Sequence, residues 1–270
     1  MLRTRLLTAA VTLPPLIALI VFAPAWSISL FVGLCTAWGL YEIAAMAPAG
    51  ASAAIPILLI AGVLPAGVAL GQLAPLPSGA LAATAVVIMC GLIVWVNQRG
   101  SRAAVAPPLL LAIGALYVGA LFPYFALLRN RVLGTRFLLL VLSAVVAGDS
   151  GAYFIGRAFG RIKLIPAVSP GKTVEGALAY VACGVAAVCA LAPVLGVSWS
   201  AETAVGFGIM VSIVAQVGDL AESAFKRLAG VKDSGWLFPG HGGLLDRTDS
   251  LVFAAFVAYY YTCWLWVSST

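Results

Sequence analysis

The chain has 270 residues, of which 63% are hydrophobic and only 9% charged, with a formal net charge of +6. A soluble domain is typically about 45–50% apolar and about 25% charged. One aqueous core cannot hide this much apolar surface, so lipid must cover the rest and the chain is a polytopic membrane protein. The positive balance does not point to nucleic acid, because no contiguous basic stripe or base-stacking module is visible.

The apolar runs are continuous and close to 20 residues long. Barrel strands would alternate over about 10 residues, so helices are expected, with backbone polar groups bonded internally. Nine transmembrane helices are predicted, at roughly 5–23, 27–46, 55–74, 80–97, 107–128, 136–156, 174–195, 202–225 and 249–268. The fold class is all-α and polytopic. Residues 1–135 supply N-terminal membrane helices and 136–270 supply C-terminal ones that carry the polar motifs, in one membrane-embedded unit. The start, MLRTRLL followed by an apolar run and Ala23-Pro24-Ala25, is similar to a signal peptide. Further spans follow at once, so a retained first helix is expected.

Ala47–Gly50, Pro75–Gly79 and Pro107–Pro108 punctuate connections, while Pro14–Pro15 and Pro65 fall inside spans. Trp26, Trp95, Trp199, Trp264 and Trp266 near span ends fit interfacial belts. The five cysteines lie in apolar runs without a C-x-x-C pair and read as small packing residues. With the N-terminus inside, all 15 basic residues except Arg129, Arg131 and Arg136 fall on the cytoplasmic side. Arg99 reads as a topology anchor there. All nine acidic residues except Glu42 lie between Asp149 and Asp249. The chemistry is therefore expected at the cytoplasmic face of the C-terminal half.

The first polar segment is 147–176. Asp149 sits near the end of an apolar span, where a carboxylate should face a cavity or a partner. Arg157 and Arg161 share a face if the helix continues; they read equally as positive-inside anchors or as phosphate contacts. Ser169-Pro170-Gly171-Lys172-Thr173 invites comparison with a P-loop. Pro166 stands where the first glycine is needed and no strand is expected before it, so that reading fails. Lys172 remains a candidate point charge for phosphate.

The second polar segment is 216–250. Asp219, Glu222, Ser223 and Lys226 fall on one face of the eighth helix. Carboxylates followed by an ammonium suit a hard divalent cation with a phosphate beside it. Gly230, Gly235, Gly240, Gly242 and Gly243 allow sharp turns and close backbone approach. Asp249 fits either a ligand or the N-cap of the ninth helix, with Ser250 competing for the cap. Asp246 has no capping role to explain it and is the better ligand candidate. His241 fits a general base, a phosphate contact or a loop hydrogen bond.

These residues carry a resemblance. Ser223-x-x-Lys226-Arg227, Lys232-Asp233-x-Gly235, Phe238-Pro239-Gly240-His241-Gly242-Gly243 and Asp246-Arg247-x-Asp249 resemble the signature of phosphatidate cytidylyltransferases. GDSGAYFIGRAFG and SPGKTVEG in 147–176 are similar to the bacterial members. The resemblance implies cytidylyl transfer from CTP to phosphatidic acid, giving CDP-diacylglycerol and pyrophosphate with Mg²⁺, a second cation being left open. It implies catalytic roles for Asp219, Lys226, Asp246 and Asp249, with Asp219, Asp246 and Asp249 as metal ligands. It implies substrate contacts from Lys172, Ser223, Arg227, Lys232, Asp233, His241, Gly242, Gly243 and Arg247. The expected setting is the bacterial cytoplasmic membrane, with the bilayer, CTP and phosphatidic acid as partners and a homodimer left open. The alternatives are a CTP-dependent polyisoprenol kinase and, in another class, a transporter. A transporter should show repeated halves, whereas the charge here is confined to one half.

Overall fold

The computed structural model describes residues 14–46, 76–100, 103–237 and 242–269. Residues 14–22 are helical (α1). Then come α2 (Ala25–Ala45), α3 (Leu76–Arg99), α4 (Pro107–Leu121), α5 (Tyr124–Arg129) and α6 (Gly134–Phe159). A small hairpin, β1 (Lys163–Ile165) and β2 (Ser169–Thr173), leads into α7 (Val174–Val194), α8 (Ala201–Leu228) and α9 (Leu245–Ser269). Among the described residues six helical stretches are long and apolar enough to cross a membrane. The chain is thus a multi-pass, almost entirely helical membrane protein. The expected span at 55–74 and the first part of that at 5–23 lie outside the described residues.

Several expected boundaries are corrected. The span at 107–128 holds as one apolar stretch, Pro107–Arg129, but is interrupted at Phe122–Pro123, where α4 gives way to α5. Proline has no N–H to donate to the preceding turn, so the ladder is interrupted. It resumes with Leu127 N–H donating to Pro123 O at 2.9 Å. Helix α6 continues to Phe159 and stops at Gly160, whose backbone is extended. Arg157 is therefore in the last turn, while Arg161 lies beyond it and shares no helix face with it. Helix α9 starts at Leu245, so Asp246 and Asp249 both lie within it and Asp249 is not its N-cap.

Among the described residues one two-stranded sheet accompanies the helices. Lys163 pairs with Thr173 and Ile165 with Ser169, antiparallel, around a turn in which Val168 N–H donates to Ile165 O at 3.2 Å. Pro166 in that turn has the fixed φ that its second position favours. Ser169–Thr173 is therefore a strand that runs straight into α7, not a phosphate loop. Thr173 then caps α7 by accepting from Gly176 N–H at 3.2 Å.

Small residues let the C-terminal helices approach closely, as lipid-embedded helix pairs require. A methyl group on Gly151 would sit 2.5 Å from Cys183 Sγ, and one on Gly208 would sit 2.8 Å from the backbone of Val185. Gly218 lies where α8 crosses α9, 2.6 Å from Asp249 O by the same construction. Tyr124 packs edge-on against Phe256 and Tyr259 and ties α5 to α9. Trp199, between α7 and α8, stacks on Phe137 at 5.6 Å and touches Phe207.

The three basic residues that break the charge asymmetry sit at the α5–α6 junction, at the opposite end of α6 from Arg157. Arg129 donates to Ala23 O at 3.3 Å and Arg136 to Gly196 O at 2.7 Å. Arg131 lies over the Tyr259 ring at 6.0 Å.

Candidate active site

The end of α6, the hairpin, the start of α7, the end of α8 and the start of α9 all meet at one end of the bundle. Two cavities open there. The polar one, about 530 Å³, is lined by Asp149, Tyr153 and Arg157 of α6, Lys172 of β2, Tyr180 of α7, and Gln216 and Asp219 of α8. The other, about 320 Å³, runs between α1, α2, α5, α6 and α9. Its lining is aliphatic and aromatic, including Leu16, Phe31, Phe125 and Val141, apart from Asp149, Arg247 and Thr248. Asp149 lines both cavities. The expectation that this carboxylate faces a cavity holds.

On the polar side, Lys172 Nζ lies 2.7 Å from Asp219 Oδ2, with both side chains about one-third exposed or less. Ser223 Oγ donates to Asp219 Oδ1 at 3.5 Å, one turn further along α8. Tyr153 accepts from Arg157 at 2.9 Å. The strand thus brings a cation to the acid that the helix presents, and the cavity holds both signs.

Lys226 does not face this cavity. Its Nζ sits 3.3 Å from Glu222 Oε2 and makes a short contact with Asp246 Oδ1. The three side chains are 12%, 2% and 8% exposed, so this is a buried triad. Asp246 is fully engaged by protein donors. Beyond Lys226, its Oδ2 accepts from Ser234 N–H at 2.8 Å, Ser234 Oγ at 2.9 Å and Gly243 N–H at 2.8 Å. Gly242, with φ of 80°, makes the left-handed turn that aims the Gly243 amide at Asp246.

The remaining expected residues separate. Asp249 is half-buried beside the α8–α9 crossing, with its Oδ1 accepting from Ser250 N–H at 2.6 Å. Arg227 donates from Nε to Val168 O at 3.4 Å and so holds the hairpin turn. Lys232 and Asp233 are exposed on the loop after α8, and Arg247 lies at the mouth of the apolar cavity. His241 lies outside the described residues. Among the described residues no three His, Cys, Asp or Glu side chains converge as a metal-binding group. Mg²⁺, however, is usually held by one or two carboxylates plus substrate phosphates and water. Asp219 and Asp249, flanking the α8–α9 crossing, fit that pattern. Buried Glu222, neither of whose oxygens accepts a well-aligned hydrogen bond, lies one turn along α8 from Asp219.

One acid was not expected here at all. Glu42 of α2 is 2% exposed and reaches the start of α9. Its Oε1 accepts from Leu244 N–H at 2.7 Å and Trp38 Nε1 at 2.9 Å. Its Oε2 accepts from Leu245 N–H at 3.0 Å and Ser234 Oγ at 3.0 Å. The signal available in the sequence was its isolation: a lone carboxylate in an apolar half must find a partner.

The chain matches the model of the cytidylyltransferase family over residues 3–265. It is 41% identical over 137 residues to a phosphatidate cytidylyltransferase of Staphylococcus epidermidis, which is 51% of this chain and 52% of the relative. The corresponding protein of Staphylococcus aureus is 39% identical over 137 residues, and that of Staphylococcus haemolyticus 41%. The chain spans about half the length of these curated relatives in the matched region.

Proposed function

The chain belongs to the cytidylyltransferase family, and on that premise we propose that it joins CTP to phosphatidic acid, giving CDP-diacylglycerol and pyrophosphate. The observation that carries this reading is the meeting of a polar and an apolar cavity at Asp149. A reaction between a nucleotide and a lipid phosphate needs such a junction: one pocket for a hydrated polyanion, the other for acyl chains.

A phosphate oxygen of the lipid attacks the α-phosphorus of CTP. The new O–P bond replaces the bridging bond to the β-phosphate, and pyrophosphate leaves. The nucleophile is already an anion, so little base catalysis is needed. Alignment and charge neutralisation dominate, as in other phosphoryl transfers. Lys172 and Arg157 face the triphosphate in the polar cavity. Arg247, at the mouth of the apolar cavity, takes the lipid phosphate while its chain lies along Phe31, Phe125 and Val141. Asp219 and Asp249 would hold Mg²⁺, which supplies charge neutralisation at the phosphates. Asp246 and Lys226 join the end of α8 to Ser234 and to the start of α9.

Nine spans, a cytoplasmic polar end and a bacterial inner-membrane setting complete the proposal, supported by the basic-residue asymmetry. The test uses purified protein in detergent, phosphatidic acid, Mg²⁺ and CTP labelled at either the α- or the γ-phosphate. The α-label should enter lipid and the γ-label should leave in pyrophosphate. Lipid labelled from the γ-position would instead identify a CTP-dependent kinase, and the proposal would be withdrawn.

A further inference from the structure

We propose that Glu42 is a positioning residue for the site: a carboxylate from α2 that clamps Ser234 and the first turn of α9 in their working arrangement. The claim that this arrangement serves catalysis rests on the transfer reading above; the clamp itself does not.

The argument begins with the start of α9. The first amides of a helix have no partner within it and must find one elsewhere. A side chain from the same segment usually serves, but Leu244 and Leu245 have none, and their N–H groups go to the two oxygens of Glu42. A carboxylate at a helix N-terminus is also favoured by the helix dipole. Among the described residues no cation pairs with Glu42; three N–H donors, the Ser234 hydroxyl that it shares with Asp246, and that dipole face its oxygens. The backbone has been fitted around it. A methyl group added to Gly235 would lie 2.9 Å from Glu42 Oε1, and one added to Gly243 would lie 2.5 Å from Oε2.

The connection to the site is Ser234. Its hydroxyl lies 3.0 Å from Glu42 Oε2 and 2.9 Å from Asp246 Oδ2. Asp246 in turn receives the Gly243 amide and Lys226. Glu42, Ser234, Asp246 and Lys226 therefore form one chain of contacts from an N-terminal helix to the end of α8. Asp246 lies on the turn whose first amides Glu42 holds, and Asp249 opens the next turn of α9.

Glu42→Gln tests the clamp, because it keeps the shape but turns one oxygen into an NH₂ that faces two donors. Hydrogen exchange by mass spectrometry on the full chain in detergent should show the amides of 242–246 exchanging about tenfold faster or more. The α6 and α7 amides should keep their wild-type rates. Turnover should fall with KM for CTP little changed, since the cavity that holds the nucleotide is untouched. Trp38→Phe removes one of four donors and should leave exchange and turnover near wild type. Wild-type exchange at 242–246 in Glu42→Gln overturns the clamp. So does a Trp38→Phe effect equal to that of Glu42→Gln, which would assign the effect to packing of α2. If Glu42→Gln exchanges fast everywhere, Ser234→Ala decides: local acceleration at 242–246 supports the clamp, and unchanged exchange overturns it. A wild-type protein without transfer activity would sink the functional reading while leaving the exchange result to judge the clamp.

Discussion

Replacing Lys226 by methionine removes the ammonium from a buried cluster of three polar side chains. Glu222 and Asp246 are 2% and 8% exposed, and Lys226 is the cation shared between them. Methionine fills similar volume but leaves buried Asp246 without its cation. Breaking a buried ion pair by removing one partner costs about 3–5 kcal/mol, because the survivor is an uncompensated charge. At roughly 2–4 °C per kcal/mol, Tm in detergent should drop by about 6 °C or more. The loop held by Asp246 should loosen too, with kcat/KM falling about 10²-fold or more, equivalent to roughly 2.7 kcal/mol. Arg99→Met is the control. It also removes one positive charge, but its guanidinium lies over the Trp95 ring at 4.8 Å, an exposed contact worth about 0.5–1 kcal/mol. Thermal unfolding and initial rates are read on both variants. Equal, small losses would refute the buried triad and leave surface potential as the explanation of both residues.

Turnover should require a divalent cation, and Asp219→Asn should abolish it with Tm retained; full activity in EDTA, or in that variant, would remove Asp219 from the metal assignment. Single cysteines at Ser169 and Lys232, in a background without the five natural ones, should be shielded from an impermeant thiol reagent in intact cells. Labelling of either from outside would reverse the orientation. Gly208→Ala should destabilise by about 1–3 kcal/mol, because its methyl meets backbone 2.8 Å away. Gly33→Ala, with nothing within 4 Å, should be close to neutral, and similar Tm shifts for the pair would show that close helix approach is not the cause.

The helices were legible because lipid enforces one pattern: long apolar runs must close their own backbone bonds. That is why α7 and α8 begin within a residue of their expected starts. What the pattern cannot register is a strand of three to five residues in a polar loop, so β1 and β2 were missed. It also cannot place a helix start whose amides are satisfied from elsewhere. Helix α9 begins at Leu245, before its apolar run, because Glu42 caps it across a separation of 202 residues. At the site, the α8 face joining Asp219 to Ser223 and Glu222 to Lys226 was readable from helical spacing. The pairing of Asp219 with Lys172, and the diversion of Lys226 to Asp246, depended on tertiary contacts that no local spacing encodes.

The arginines at the α5–α6 junction put two stages of the protein's life in opposition. While a chain is being inserted, positive charge in a short loop counts towards keeping that loop inside. With the polar end cytoplasmic, as proposed, Arg129, Arg131 and Arg136 by that measure argue for the opposite orientation. Once the chain has folded, two of them fasten backbone carbonyls at Ala23 and Gly196, and the third covers Tyr259. Neutralising them together should therefore raise the fraction of chains inserted correctly and lower the stability of each chain that is.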